Sequence, residues 1–364
     1  HDTMNHHILF AGIFAMSLWA ASAAELPKLD RQPKPGVYAL TNTSNYVTSN
    51  GKRVNLFDLP VDGVTNYTTW RMVQPEEGAI RYPGLDRMMG EAVASGKYLS
   101  YGILAGIHTP DWVYEKGKIP RFLVDPNRKW HSYLPWIEVN GKRKLNTPFL
   151  NIWSETVKAF AARLYADPHR DRINYVPVTG FPFGNGLELY VPLAEPEFRA
   201  LRYDGEARRL YVEFCCRVID IFVEHLPDFP LGIAFTDWYG TGPKGHIRDV
   251  TESAAILDYA IRKGRLKGVT VVPMGLWMGW KGICDNPAHP LMRTWLSRSR
   301  QAGSGAWEGQ MGSCRLKCLP LAEQLELAER HKAVWVQLWH HDCLCPECVA
   351  VLEAYRARKG ASVK

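Results

Sequence analysis

The sequence predicts an α/β chain folded as a single-domain (β/α)8 TIM barrel with a long insertion after strand 3, on three observations. Short β-branched or aromatic runs alternate with amphipathic helical stretches, a pattern that builds a parallel sheet. The runs number eight, as such a barrel requires, and 364 residues exceed its usual core of about 250, so the surplus reads as insertions. No Gly-rich phosphate loop follows the first run, which counts against a doubly wound open sheet.

In chain order the expected strands are Val37–Thr41, Val64–Trp70, Tyr98–Ala105, Ile173–Gly180, Leu231–Asp237, Val269–Leu276, Gly305–Gly312 and Val334–Trp339. Each is rich in residues that fit a pleated surface. The expected helices are Leu85–Ser95, Ile152–Leu164, Glu206–His225, Glu252–Lys263, Pro290–Gln301 and Ala322–His331. Between Val113 and Leu150 the alternation stops. That stretch carries Trp130, Tyr133, Trp136 and many charges, with too few periodic apolar positions for a long helix, and it is the insertion. Gly and Pro are spread throughout, and no boundary splits off a second domain.

His1-Asp2-Thr3 stand ahead of Met4 as a cloning remnant, and the apolar run from Ile8 to Ala21 closes on Ser22-Ala23-Ala24. An apolar run with a small-residue end reads as a secretory signal peptide and is short for a membrane span, although no Lys or Arg lies between Met4 and Ile8. Residues 1–24 are therefore expected to be removed, leaving 25–364 as a secreted or periplasmic barrel with no membrane attachment. A retained membrane anchor is the competing reading.

The composition, 46% hydrophobic, 12% aromatic and 22% charged, excludes disordered, collagen-like, coiled-coil and multi-span classes. A net charge of +7 weakly favours anionic partners. Nucleic acid is not an expected partner, because Lys and Arg are dispersed and not interleaved with stacking aromatics.

Parallel barrels build their sites at the carboxyl ends of the strands. Those positions carry Trp70 and Arg71, His108, Glu188, Asp237 and Trp238, Trp277 and Trp280, Glu308 with Gln310, and Trp339-His340-His341-Asp342. Flat aromatic rings suit the apolar faces of sugars, and carboxylates suit acid/base work at an acetal. The expected substrate is a carbohydrate, and the set calls for neither cofactor nor metal. Strand alternation puts Glu308 and Gln310 on one face with Trp307 on the other, and groups Trp335, Gln337 and Trp339 opposite Val334, Val336 and Leu338.

The segments Val61-Asp-Gly-Val-Thr-Asn-Tyr-Thr-Thr-Trp70, Gln74-Pro-Glu-Glu-Gly78, Leu85-Asp86, Gly96-Lys97 and Ala105-Gly-Ile-His-Thr-Pro-Asp-Trp112 resemble the front half of clan A glycoside hydrolases, β-galactosidase-like barrels among them. The resemblance is specific over residues 61 to 113 and covers most of the remaining chain in layout. It implies a glycosidase with two carboxylates and a retaining mechanism, the acid/base Glu following strand 4 and the nucleophilic Glu ending strand 7. Those positions map onto Glu188 and Glu308. In the clan an Asn directly precedes the acid/base Glu, whereas here Asn185 stands three residues earlier. Trp339 resembles the clan's platform for the reacting sugar. His108 is placed to bond a sugar hydroxyl or the nucleophile, and Arg71 to hold the nucleophile's carboxylate or a uronic acid. Should Gln310 take the strand-end position instead, Asp237 or Asp342 is the substitute for Glu308. A retaining pair lies about 5 to 5.5 Å apart and an inverting pair about 6.5 to 9.5 Å.

Of eight cysteines, Cys215 and Cys216 sit within a helix as buried thiols, and Cys284, Cys314, Cys318, Cys343, Cys345 and Cys348 fall in three loops on the strand-end face. In an exported protein those six favour disulfides that pin the loops together. Zinc held by the same thiolates with His340, His341 and Asp342 is the alternative. Three functions follow: a glycoside hydrolase, a barrel that binds glycan without cleaving it, and a metal-dependent hydrolase.

Overall fold

The computed structural model describes residues 29–48, 51–125, 127–189, 204–236, 250–276, 278–309 and 318–361. Its main sheet has eight strands, numbered in chain order: β1 (Gly36–Thr41), β2 (Gly63–Thr69), β3 (Tyr98–Leu104), β4 (Val176–Pro177), β5 (Leu231–Phe235), β6 (Val271–Gly275), β7 (Ala306–Gly309) and β8 (Trp335–Trp339). In space they run β4-β5-β6-β7-β8-β1-β2-β3, each pair parallel. The two ends meet where Leu99 of β3 pairs with Ile173 just ahead of β4, and the Asn174 N–H donates to the Leu99 carbonyl at 2.8 Å. The sheet closes into the expected barrel, with every expected strand in place.

The helices on the outside start and stop where local chemistry permits. Asn146 caps Thr147–Tyr165 by accepting from the Phe149 N–H at 3.2 Å, and Asp204 caps Gly205–His225 by accepting from Ala207 at 2.9 Å. These side chains satisfy backbone donors that the first turn leaves open. Thr251–Lys267 and Pro290–Ala302 both end on a left-handed glycine, Gly268 and Gly303, which relieves the steric cost of that conformation. Leu85–Ala94 and Leu321–Arg330 also form as expected. A final helix, Pro346–Ala361, was not anticipated.

Side chains sort into two cores. Outward-facing residues such as Val336, Leu338 and Trp307 pack with Phe160, Val218, Ile256, Trp295 and Leu325 of the helices. Inside the barrel lie Tyr38, Tyr175, Ala234, Val272, Met274, Ala306 and Trp335. Large rings fit there because glycines face them: a Cβ on Gly232 would lie 2.8 Å from the Tyr175 ring, and one on Gly63 2.6 Å from Tyr38.

The insertion is two β-hairpins. Phe122–Asp125 pairs with Trp130–Ser132, and Trp136–Val139 pairs with Lys142–Leu145. The second turns on Asn140-Gly141, both at positive φ (53° and 70°), the two-residue geometry that follows strand twist. Tyr133, between the hairpins, is fully buried and stacks on Phe149 at 3.7 Å, so the insertion is tied into the outer core.

Among the described residues no helix is long and apolar enough to cross a membrane. The segment expected to be a signal peptide, residues 1–24, lies outside them.

Candidate active site

Glu308 is the third residue of β7. Register pairs it with Gln337 of β8, and alternation turns it into the barrel while Trp307 packs outward against Trp295 at 5.7 Å. It is 7% exposed. One carboxylate oxygen accepts from the Trp339 indole N–H at 3.3 Å. Trp339 closes β8 and is 38% exposed, so it presents a ring at the barrel mouth while its N–H addresses the carboxylate.

Glu188 arrives by an indirect route. Pro177 pairs with Gly232 of β5 and Leu189 with Phe235, so twelve steps of one chain run beside three of the other. The surplus leaves the sheet after Val178 as a loop and returns just past Glu188. Its turns require unusual backbone: Gly180, Phe183, Gly184 and Gly186 all have positive φ. The N–H groups of Gly180 and Phe181 both donate to the Gly186 carbonyl. The Tyr133 hydroxyl lies 2.9 and 3.0 Å from the carbonyl oxygens of Gly180 and Phe181, and the Trp153 indole N–H donates to Thr179 at 3.0 Å.

This loop brings the displaced Asn185 back to Glu188. Asn185 accepts from the Leu187 N–H at 3.0 Å, a local turn, and its side chain hydrogen-bonds the Glu188 carboxyl. Burial pushes Glu188 up to about 7, the negative charge of Glu308 pushes in the same direction, and the Asn185 hydrogen bond opposes them. Charges influence one another in this way only when close and poorly screened. The Glu188 carboxyl, carried back to the sheet beside β5, is therefore within electrostatic reach of the Glu308 carboxylate on β7.

Beneath Glu308 lies a hydroxyl network that the sequence reading had not assigned. Tyr175 donates to the Gln337 side-chain oxygen at 2.8 Å, and the Tyr67 hydroxyl lies 3.4 Å from that of Tyr175. Both phenols are raised above their ordinary range, chiefly by burial and also by the charge of Glu308. The inward alternation of strands 2 and 4 was the signal available for finding them.

The remaining expected positions divide. Trp70 has no exposed surface: its indole donates to Gln74 at 3.2 Å and its ring packs edge-on to Trp112, Phe149 and Trp153. It belongs to the outer core and is not available to a sugar, because the first residue past β2 turns into the short helix Trp70–Val73. Trp280 is partly buried against the same outer core and bridges to Cys318. Arg71 is exposed, its Nε donating to the Thr109 carbonyl at 3.0 Å. His108 is half-buried, and burial together with the Arg71 charge lowers its pKa. Asp237, Trp238, Trp277 and Gln310 lie outside the described residues. Asp342 is buried in the helix His340–Leu344 that follows β8.

The cysteine expectation needs correction at two of its six loop positions. Cys284 and Cys343 are free thiols, as are Cys215 and Cys216. Cys284 donates to the Trp280 carbonyl at 3.5 Å, and burial raises its pKa to about 12 and that of Cys343 further. Cys314 lies outside the described residues. Among the described residues no group of three or more His, Cys, Asp or Glu side chains could hold a metal ion. His340 instead stacks on Tyr46 at 4.4 Å, and His341 lies parallel to Trp339 at 5.9 Å.

No protein-family model matches the chain, and no curated protein matches it. Solved structures similar to it include a psychrophilic glycoside hydrolase family 10 endo-β-1,4-xylanase, with 13% identity and TM-score 0.44 over 84% of this chain and 85% of that one. A GH42 β-galactosidase is similar at 11% identity and TM-score 0.47, over 84% of this chain and 53% of that one. The β-galactosidase from Bacillus circulans sp. alkalophilus is similar at 14% identity and TM-score 0.47, over 85% and 51%. The chain thus spans about half the length of these β-galactosidases. The likeness is one of outline, and each residue of the site is placed by this chain's own geometry.

Proposed function

We propose that the protein is a glycoside hydrolase in which Glu188 is the acid/base and Glu308 the nucleophile of a retaining reaction on an oligo- or polysaccharide. The observation that carries this reading is the electrostatic coupling of two carboxyl groups at strand ends of one barrel, Glu188 being raised to about 7 by burial and by Glu308. A general acid must hold its proton near working pH, and a nucleophile must be ionised beside it. Glu188 then protonates the leaving oxygen while Glu308 attacks the anomeric carbon; Glu188, now a base, takes a proton from the water that releases the sugar. Trp339 holds the Glu308 carboxylate with its N–H and offers its exposed ring to the sugar. Export after loss of residues 1–24 belongs to the same proposal.

A panel of aryl glycosides and polysaccharides tests it. Glu188→Gln should lower turnover by about 10²- to 10⁴-fold, and Glu308→Gln should reduce it to background. Wild-type kcat/KM should fall as pH rises through about 7, where Glu188 loses its proton. Activity untouched by both substitutions overturns the assignment. Glycan binding with no turnover on any substrate favours the binding-only reading.

A further inference from the structure

We propose that the barrel mouth beside β2 and β3 holds a subsite for an anionic group carried by the sugar, a carboxylate or a sulfate ester, with Arg71 as its binding group. The inference rests on the glycosidase reading and names the substrate class.

Arg71 follows β2 at once, and the burial of Trp70 fixes the short helix from which it projects. Its Nε donates to the Thr109 carbonyl at 3.0 Å, which orients the guanidinium over the turn after β3 and, among the described residues, leaves both terminal amino groups for a ligand. Among the described residues no carboxylate pairs with it. The acidic groups nearby are engaged: Asp111 with Arg121 at 2.8 Å, and Glu77 with Lys116. A guanidinium held on one edge and open on the other can pair bidentately with the two oxygens of a carboxylate or with two oxygens of a sulfate ester.

The surroundings are rich in donors. His108 lies close enough to Arg71 to feel its charge. The Thr109 and Tyr114 hydroxyls, in residues 0% and 4% exposed, lie against each other and have no other hydrogen-bond partner among the described residues. Arg121 covers the Tyr114 ring at 4.8 Å, its charge balanced by Asp111. This wall adjoins the acid/base loop, because the Ile107 N–H donates to the Gly184 carbonyl at 2.8 Å. An anion bound here therefore belongs to a sugar lying beside Glu188.

The test is binding of free sugars to the intact protein by titration calorimetry, using glucuronate, galacturonate, glucose 6-sulfate, glucose and galactose. The acidic sugars should bind at least tenfold more tightly than their neutral counterparts. That ratio should fall toward one in Arg71→Gln, recover in part in Arg71→Lys, and shrink with added salt. A wild type without acid preference, or a preference that survives Arg71→Gln, overturns the proposal. Preference for the uronates assigns a carboxylate, and preference for glucose 6-sulfate with the same Arg71 dependence assigns a sulfate ester. Hydrolysis of neutral aryl glycosides without anion preference would sink this inference and leave the glycosidase standing. An Arg71-dependent preference without hydrolysis of any glycoside would do the reverse.

Discussion

Two tryptophans that looked alike in the sequence have opposite surroundings, and the difference decides what each can do. Trp70 is enclosed by Trp112, Phe149 and Trp153; Trp339 is 38% exposed and bonded to Glu308. Trp70→Ala should cost about 3 to 5 kcal/mol of stability in urea unfolding, as large-to-small core changes do. Trp339→Ala should leave the unfolding midpoint nearly unchanged and, in the proposed glycosidase reaction, lower turnover by at least about tenfold, since it frees the Glu308 carboxylate from its indole partner. A midpoint drop of core size in Trp339→Ala would contradict its placement. Glu188 makes a second residue-scale prediction through its proton. Burial and the Glu308 charge raise its pKa in the folded protein to about 7 from an ordinary 4.5, so its contribution to stability is complete below about 4.5 and is lost as pH rises through about 7. Glu188→Gln should therefore unfold like wild type near pH 4 and be more stable at pH 8.5, by up to about 3 kcal/mol. Removing the Glu308 charge by Glu308→Gln should lower the Glu188 pKa in a titration followed by infrared or NMR.

At the scale of elements, the strands and helices were legible because their side-chain periods are local properties. β7 and β8 show this: Glu308 inward with Trp307 outward, and Gln337 inward with Val336 and Leu338 outward, follow from a period of two. The strand 4 excursion was not legible. The run Thr179 to Leu187 carries Gly, Pro and Asn enough to signal a turn, but only pairing with β5 shows that the chain returns to the sheet at Leu189. That return explains why Asn185 can stand three residues before Glu188 and still bond it. The hairpin turn at Asn140-Gly141 does have a local signal, an Asn-Gly dipeptide between β-rich runs, to which helical periodicity is blind. The excursion is held by backbone contacts that admit no side chain. Gly106 has φ +55°, and a Cβ there would lie 2.3 Å from the Gly184 carbonyl oxygen. Gly106→Ala should cost more than about 2 kcal/mol from strain and displacement together and should move the Glu188 loop. The alanine variant should lose turnover more steeply than it loses thermal stability; retention of both would show that the two turns are not rigidly coupled.

For the whole molecule, closure of the barrel is what converts a list of strand ends into a site. β4 and β7 are separated by more than a hundred residues in the chain, and only the closed sheet sets them facing each other with β5 and β6 between. Closure also supplies two apolar environments, and the inner one makes a buried carboxylate costly unless it is bonded and held by its surroundings. Glu308 meets that requirement through Trp339. The proposed signal peptide makes a prediction at this scale: when the chain is expressed with its first residues in a bacterium with an export pathway, the mature protein should begin at Glu25 and be recovered outside the cytoplasm, as read by N-terminal sequencing. Recovery of the uncleaved chain in the membrane would favour a retained anchor.

By itself the sequence determined the eight strands, their order and the inward or outward sense of side chains along them, because periodicity and strand ends are set by neighbours in the chain, and its resemblance to clan A glycoside hydrolases singled out Glu188 and Glu308. Tertiary structure alone decided which aromatics are wall and which are mouth, that Cys284 and Cys343 remain thiols, that Asn185 reaches Glu188, and that Tyr67, Tyr175 and Gln337 lie beneath Glu308. Burial, proton affinity and the meeting of distant groups depend on what the closed sheet places across from each residue, and that is a property of the whole enclosure.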